Sequence, residues 1–127
     1  MQRLFNAIGV DSYIRPHRHL LDPKIETLIA VRGRMAMIAF DNDGAITDCV
    51  VFGIGEGDAA GVELGTDQWH TVVALVPGSI LFEVKQGPFM PDAAKEPAPW
   101  SPEEHSPDAT AYLGGLRRRI AERGHSI

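Results

Sequence analysis

Short apolar stretches of about four to eight residues recur along the chain, each ending at Gly, Pro, Asn or Asp. Runs of this length, rich in Val, Ile and Phe and bounded by turn residues, are typical of β-strands. They predict strands over 12–19, 26–33, 34–41 and 46–53, and three more within 62–87, separated at 65–67 and 77–78. We therefore expect an all-β fold, either a small antiparallel β-barrel or a jelly roll, with about seven strands.

The region after the predicted strands has a different composition. Residues 87–108 contain six prolines, which prevent a regular strand or helix from continuing for long. We expect this segment to wrap the barrel as an ordered arm, with Phe89 and Trp100 as anchors. From Asp108 the pattern predicts a helix, with Ser106 or Asp108 as its cap and Gly124 as its end.

These patterns divide the chain into a β-barrel domain with its arm over 1–104 and a helical tail over 105–127. Within the predicted helix, Gly114 and Gly115 each lower its stability by about 1 kcal/mol relative to Ala. We therefore expect the helix to be frayed, or to be held only by packing against another subunit.

Composition and charge exclude several classes of protein. A net charge of −5 and a pI near 5.4 argue against a general nucleic-acid-binding protein. No apolar run reaches the roughly 18–20 residues of a membrane helix, and no signal peptide is recognisable. The single cysteine, Cys49, excludes an intramolecular disulfide, suits a reducing cytoplasm, and is interpreted as a small core residue.

Three histidines and one glutamate form a candidate metal site. His17 and His19 are two residues apart on a predicted strand, so their side chains share a face about 7 Å apart. Glu26 begins the next strand and His70 lies on a distant one, and closing the sheet could bring all four together. Such a set suits Fe, Mn, Ni, Co or Zn rather than calcium or magnesium, and leaves positions open for a ligand.

Other polar residues are candidates for binding a substrate. By alternation, Tyr13 and Arg15 share the face of His17, and Arg15 could bind an anionic group or remain solvated. Lys24 lies two residues before Glu26 and is a candidate for a substrate contact. Gln68, two residues before the last histidine of the site, is a candidate hydrogen-bond donor to it.

Glu83 is the candidate catalytic residue. It is an acid within the apolar stretch ILFEVK, where burial would raise its pKa and suit it to general acid–base chemistry, although an edge strand could also expose it. Trp69 and Trp100 are interpreted mainly as packing residues. His105 and His125, near the end of the chain, are expected to be exposed.

The spacing of the candidate metal ligands resembles the two cupin motifs. The first corresponds to His17, His19, Glu26 and Gly33, and the second to Gly65 with His70. Two departures are visible: six residues separate His19 from Glu26 instead of three or four, and ELGTDQWH lacks the usual Pro-x-Gly.

A narrower resemblance covers roughly residues 2–104. The segments SYIRPHRH, KIETLIAVRG, WHTVVALVPGSILFEVKQGPF and APWSPEE resemble the WbuC family of cupin-fold metalloproteins. That family is associated with bacterial polysaccharide and O-antigen gene clusters. Its members usually carry a further N-terminal stretch before the QRLFNAI segment, so we expect a short or trimmed member.

Three functional hypotheses follow. In the first, a divalent metal and Glu83 catalyse the isomerisation, epimerisation or elimination of a sugar or nucleotide-sugar-like metabolite. The enzymatic alternative is an Fe(II)-dependent oxygenase. In the second, the protein is a non-catalytic module that binds a sugar or an acid through its metal. A purely structural metal is the weakest, because structural zinc usually has four Cys or His ligands. The expected partners are a small-molecule ligand and a second copy of the chain in a homodimer.

Overall fold

A computed structural model describes residues 1–20, 23–88 and 95–123. These residues form two antiparallel β-sheets and a C-terminal helix. The four-stranded sheet has the order β1 (Gln2–Ile8), β8 (Ser79–Lys85), β3 (Glu26–Arg32) and β6 (Gly61–Leu64). The five-stranded sheet has the order β5 (Ile46–Gly53), β4 (Arg34–Phe40), β7 (Trp69–Ala74), β2 (His17–Arg18) and β9 (Glu96–Pro97).

The two sheets form a jelly roll that is not a closed barrel, which confirms the predicted fold class. The predicted strands at 26–33, 34–41 and 46–53, and the three within 62–87, all appear within one or two residues of their expected bounds. The hairpin between β4 and β5 is closed by a hydrogen bond from the Asp41 N–H to the Ala45 carbonyl, with Gly44 at a φ of 89°.

The central strands β4 and β7 are buried on both faces. One face of β4, including Met35 and Met37, packs into a cluster with Leu28 and Leu81 of the four-stranded sheet. The other face packs into a second cluster that includes residues of the C-terminal helix. Strands covered on both faces read as continuous apolar runs rather than alternating ones, as these do.

The predicted helix is present as α1 (Ala109–Glu122). Its N-cap residue is Asp108, whose side chain makes no capping hydrogen bond, and the expected end at Gly124 lies outside the described residues. Leu113, Leu116 and Ile120 are buried against the five-stranded sheet. Burying three such side chains contributes roughly 1.5–3 kcal/mol each, which outweighs the cost of about 1 kcal/mol for each of the two glycines.

The Pro-rich arm adds a short strand to the five-stranded sheet. β9 pairs with β2, so that His17 lies opposite Pro97 and Arg18 opposite Glu96. Trp100 anchors the arm as expected, with its ring centroid 5.0 Å from that of Phe40. Phe89, the other expected anchor, lies outside the described residues.

At the N-terminus, one predicted strand was wrong and one observed strand was missed. Residues 12–19 form a strand only at 17–18, because Pro16 has no N–H to donate and neighbouring carbonyls are bonded elsewhere. The Ile14 carbonyl accepts a hydrogen bond from the Thr71 hydroxyl at 2.5 Å, and the Pro16 carbonyl accepts one from Ala98 N–H. In addition, β1 was not predicted.

Cys49 is half-buried against the cluster that holds the helix, where burial raises the pKa of its thiol. No helix in the part of the chain that the structure describes has the length and apolar character needed to cross a membrane.

Candidate metal centre and cavity

The fold brings the four predicted metal ligands together, and we call His17, His19, His70 and Glu26 the His cluster. Antiparallel pairing of β2 with β7 places His17 directly opposite His70, and their ring centroids are 4.5 Å apart. His19 follows β2, and its Nε2 lies 2.7 Å from the Glu26 carboxylate at the start of β3. All four side chains are buried, with relative exposures between 1% and 7%.

Backbone hydrogen bonds determine the tautomers of two histidines. His17 Nδ1 lies 2.8 Å from the Arg15 carbonyl oxygen, and His70 Nδ1 lies 2.8 Å from that of Gln68. A carbonyl oxygen can only accept, so each Nδ1 donates its proton and each Nε2 keeps a lone pair in the neutral ring. Such bonds orient metal-binding histidines in known metal sites.

The electrostatics of the cluster favour neutral rings at His17 and His70 and an ionised carboxylate at Glu26. Burial, together with the neighbouring His70, holds the pKa of His17 well below its usual value, and burial also lowers that of His70. Burial alone would raise the pKa of Glu26, but the hydrogen bond from His19 and the charges of nearby His70 and Lys85 outweigh it and lower this pKa to about 2.

The residues present fit a transition-metal ion. Ring nitrogens of the three histidines lie within 4.8 Å of one another. Among the described residues, His70 Nε2 is buried without a hydrogen-bond partner, and the nearest oxygen of Glu26 is 4.0 Å away. A buried lone pair that no protein group satisfies is costly unless something binds it. Three imidazoles and one carboxylate are ligands that such ions accept.

The His cluster lines a cavity of about 1430 Å³ between the sheets and the helix. Glu83 and Lys85 project into it from one face of β8, since they are two residues apart on the strand. Burial, and then the charge of Glu26, raises the pKa of Glu83. Lys85 Nζ lies 3.9 Å from the Glu26 carboxylate, so that a cation and an acid of raised pKa, Glu83, adjoin the cluster.

Of the four predicted substrate-binding residues, Tyr13 lines the cavity and the other three do not. Tyr13 lines the cavity, but its hydroxyl donates to the Pro102 carbonyl at 2.7 Å, and burial raises its pKa to about 12. Arg15 does not line the cavity; its guanidinium donates to the Ser101 hydroxyl and the Ala98 carbonyl and so ties down the arm. The prediction that Arg15 shares the face of His17 assumed a strand over 12–19, and the strand covers only 17–18.

Lys24 and Gln68 also make backbone contacts outside the cavity lining. The ammonium of Lys24 donates to the Pro88 carbonyl. The side-chain amide of Gln68 donates to the carbonyls of Phe40 and Trp69. Gln68 supports the His cluster through its backbone carbonyl, which accepts from His70, rather than through its side chain.

Several cavity residues were missed by the sequence interpretation. Lys85 could have been found by applying strand alternation to Glu83, but Lys95 lies in the Pro-rich arm, where no periodicity locates it. One face of α1 also lines the cavity, which only packing reveals. His105 is exposed, as predicted, at the cavity wall, and His125 lies outside the described residues.

Comparison with known proteins gives a fold rather than a function. A model of a domain of unknown function, DUF6016, matches residues 1–52. No curated protein matches the chain.

Solved structures with this fold include several sugar-modifying enzymes. A dTDP sugar isomerase from Desulfovibrio desulfuricans matches with a TM-score of 0.65 and 13% identity, over 90% of this chain and 71% of that chain. QdtA, a sugar 3,4-ketoisomerase from Thermoanaerobacterium thermosaccharolyticum in complex with TDP, matches with a TM-score of 0.59 and 13% identity, over 94% and 74%.

A 3,4-ketoisomerase from Helicobacter canadensis matches with a TM-score of 0.58 and 12% identity. That alignment covers 72% of this chain and 65% of the Helicobacter chain, so this chain spans less than two thirds of that protein. The architecture shared by these structures is the cupin jelly roll, which agrees with the fold that the motif resemblance implied.

Proposed function

We propose that this protein is a metal-binding cupin enzyme that acts on a sugar or nucleotide-sugar-like metabolite. The observation that carries the proposal is the His cluster: three buried imidazoles, whose ring nitrogens lie within 4.8 Å of one another, beside an ionised carboxylate on the wall of a large cavity. A histidine that serves as a surface charge or as a surface hydrogen-bonding group is exposed, whereas these three histidines are buried.

The chemistry assigned to the cavity is proton transfer next to a carbonyl. A divalent ion held by the His cluster would supply Lewis acidity toward a carbonyl or hydroxyl oxygen of the ligand. Glu83, as a carboxylate, takes a proton from the hydroxyl-bearing carbon beside the carbonyl. It then returns the proton to the former carbonyl carbon while the hydroxyl proton moves to the former carbonyl oxygen, or the first carbon receives a proton from water on its opposite face. Isomerisation or epimerisation results, and the raised pKa makes Glu83 a stronger base.

The substrate class is supported by the cations of the cavity and by the neighbours. Lys85 and Lys95 line the cavity beside the His cluster and suit a ligand with a negative charge, such as a nucleotide sugar. Similar structures include a dTDP sugar isomerase and a ketoisomerase in complex with TDP. The resemblance to the WbuC family supports a role in bacterial surface polysaccharide metabolism.

Metal content is the first test. Protein purified without an affinity tag should contain about one equivalent of Fe, Mn, Ni, Co or Zn by elemental analysis, as one four-ligand site requires. His70→Ala should lose the metal, whereas His105→Ala, a change at an exposed histidine, should keep it. Absence of metal from the wild-type protein even after reloading would refute the proposal.

Turnover is the second test and separates an enzyme from a binding module. Wild-type protein with a TDP-linked 4-keto sugar in D₂O should exchange the C–H hydrogens beside the carbonyl, as measured by NMR. Glu83→Gln should abolish the exchange and leave the affinity for the ligand unchanged. Binding without exchange in the wild type would identify a non-catalytic module, and iron in the metal analysis would direct the next assay to oxygen consumption.

We also infer that two copies of the chain associate through the outer face of the four-stranded sheet. Phe5 and Phe82 stack there with centroids 4.9 Å apart, and Phe5 is 68% exposed. Strand pairing places Phe5, Phe82, Ile29 and Gly61 in one row across the sheet.

The neighbouring row on the same face carries opposite charges at its two ends. It runs from Arg3 on β1 through Val84 and Thr27 to Glu63 on β6. A two-fold axis along the strands places each edge strand over the other edge of the second copy. Arg3 then faces Glu63 and Phe5 faces Gly61, so the surface is complementary to itself, as a two-fold interface requires.

A further inference from the structure

The cavity extends well beyond the His cluster. It follows the inner face of β8 from Lys85 to Leu81 and then reaches Asp11 and the start of α1. Four residues of a strand rise about 13 Å, and the cavity volume of about 1430 Å³ exceeds the roughly 300–1,000 Å³ of common ligand pockets. A monosaccharide held at the His cluster would leave the far part of this space unfilled.

One face of α1 forms the wall of that far part. The helix residues that line the cavity are spaced so that they lie on one side: Ala109, Thr110, Leu113, Gly114 and Arg117. The Arg117 guanidinium donates to the Ala74 carbonyl at 2.7 Å and to the Val10 carbonyl. These bonds fix the helix against the body of the protein, so its inner face is a firm wall.

The fold itself does not require glycine at position 114. Its φ is not in the left-handed region, and an added Cβ would meet only the Arg118 side chain, at 3.9 Å. Glycine nevertheless lowers the stability of the helix by about 1 kcal/mol relative to Ala. What its missing side chain does provide is space on the cavity wall.

We infer that the ligand is longer than a monosaccharide, and that its end remote from the His cluster packs against α1 at Gly114. This inference rests on the proposed function, because it takes the reacting end of the ligand to lie at the His cluster. Gly114 then determines how large a remote group the protein accepts.

The surroundings of Gly114 restrict the chemistry of that remote group. Leu113 and Ala109 offer apolar surface, Thr110 offers a hydroxyl, and the carboxylates of Asp11 and Glu104 accept hydrogen bonds. The two carboxylates oppose a negatively charged group, and the cation of this helix face, Arg117, directs its guanidinium at the Val10 and Ala74 carbonyls. An uncharged group with hydrogen-bond donors, such as a nucleoside or a second sugar ring, fits this wall.

The chain contains a matched control for this inference. Gly115 is the next residue of the same helix, and an added Cβ there would likewise meet only Arg118, at 3.7 Å. Gly115 does not line the cavity, and nothing in the structure explains its glycine. Leucine at either position gains the same helix propensity, so only the cavity distinguishes the two variants.

The test is calorimetric titration of metal-loaded protein with TDP-glucose and with glucose. Wild-type protein should bind TDP-glucose more tightly than glucose. Gly114→Leu should weaken TDP-glucose binding by at least about fivefold, since extra methylenes in occupied space are costly, and leave glucose binding unchanged. Gly115→Leu should bind both compounds as the wild type does, and thermal melts should show that both variants are folded.

Equal effects of the two leucine variants, or no preference of the wild type for TDP-glucose, would overturn the inference. The metal analysis and the hydrogen exchange report on the proposed function separately. Normal metal content and exchange with no Gly114 effect would refute only the inference. A Gly114-specific effect in protein that neither binds metal nor exchanges hydrogen would instead refute the proposed function.

Discussion

His17 and His70 are held in one protonation state by their surroundings. Each ring is buried, and each donates its Nδ1 proton to a backbone carbonyl, while the facing Nε2 adjoins other histidines. Protonating either ring would place a charge in a buried site next to a second imidazole. The fold therefore maintains both side chains in the form that can bind a metal.

These two histidines should make the metal-free protein sensitive to acid. Their pKa values are lowered in the folded state, so below pH 6.5 the unfolded chain binds more protons than the folded one. Stability should therefore decline as the pH falls from about 6.5, and the lowered pKa of Glu26 should extend the decline from 4.5 toward 2.

Thermal melts of chelator-treated protein across this pH range measure the effect. Between pH 6.5 and 5, His17→Gln should reduce the slope of melting temperature against pH by roughly half, because one of the two groups is removed. His105→Gln, at an exposed position, should leave the slope unchanged. A slope that is the same in wild type and His17→Gln would contradict this account.

At the scale of single residues, the sequence predicted which residues meet in the His cluster better than it predicted the other side-chain contacts. The motif spacing selected the four residues of the His cluster, which the fold brings together. It could not place Arg15 or Gln68, because where a long polar side chain binds depends on which backbone carbonyls lie nearby. Those carbonyls belong to segments distant in the sequence.

Among the structural elements, the junction between β3 and β4 depends most on one residue. Gly33 has a φ of 81°, and an added Cβ would lie 2.4 Å from the Ser79 hydroxyl and 2.7 Å from its Cα. The close approach allows β8 to begin beside the turn. Only glycine satisfies both the backbone conformation and the space.

Gly33→Ala should accordingly destabilise the protein more than Gly57→Ala. Gly57 has nearly the same φ, 83°, but nothing lies within 4 Å of an added Cβ. Gly57→Ala should cost about 1–2 kcal/mol for the left-handed conformation alone, and Gly33→Ala should cost at least about 1 kcal/mol more for the overlap. Urea denaturation measures both, and equal losses would show that the contact with Ser79 relaxes freely.

The two strand errors have different origins. In β1, Leu4 and Ile8 face the cavity while Phe5 lies on the outer face, so apolar residues occupy both sides and no period of two stands out. In the segment 12–19, alternation is present but Pro16 and distant hydrogen-bond partners prevent a continuous strand. Pattern alone does not distinguish these two cases.

At the scale of the whole molecule, a single chain leaves apolar side chains exposed on the four-stranded sheet. Phe5, Ile29 and Val31 are exposed by 68%, 39% and 53%, all from the four-stranded sheet. Contiguous apolar surface of this kind is typical of interaction sites.

Light scattering with size-exclusion chromatography should show a dimer for the wild-type protein. Phe5→Asp should shift it toward the monomer, because a charge would enter the centre of the interface. Ile54→Asp provides the control, since Ile54 is 77% exposed but lies in the loop between β5 and β6 and not in a strand of this sheet. A monomeric wild type, or a Phe5→Asp protein that remains dimeric, would exclude this interface.

The sequence by itself determined the elements whose signal is local. Apolar runs bounded by turn residues specified six of the strands, and the helical pattern specified α1. The residue types of the His cluster and their spacing pointed to a transition-metal site, since ligand chemistry depends on the identity of the side chains.

Tertiary structure alone decided which surfaces meet. Contacts between segments far apart in the sequence pair β2 with both β7 and β9. They also place Gly114 of α1 and Lys95 on the wall of the cavity. Such contacts depend on packing in three dimensions, where many alternatives share the same local pattern. For that reason the size of the cavity, from which we infer the size of the ligand, became visible only in the folded chain.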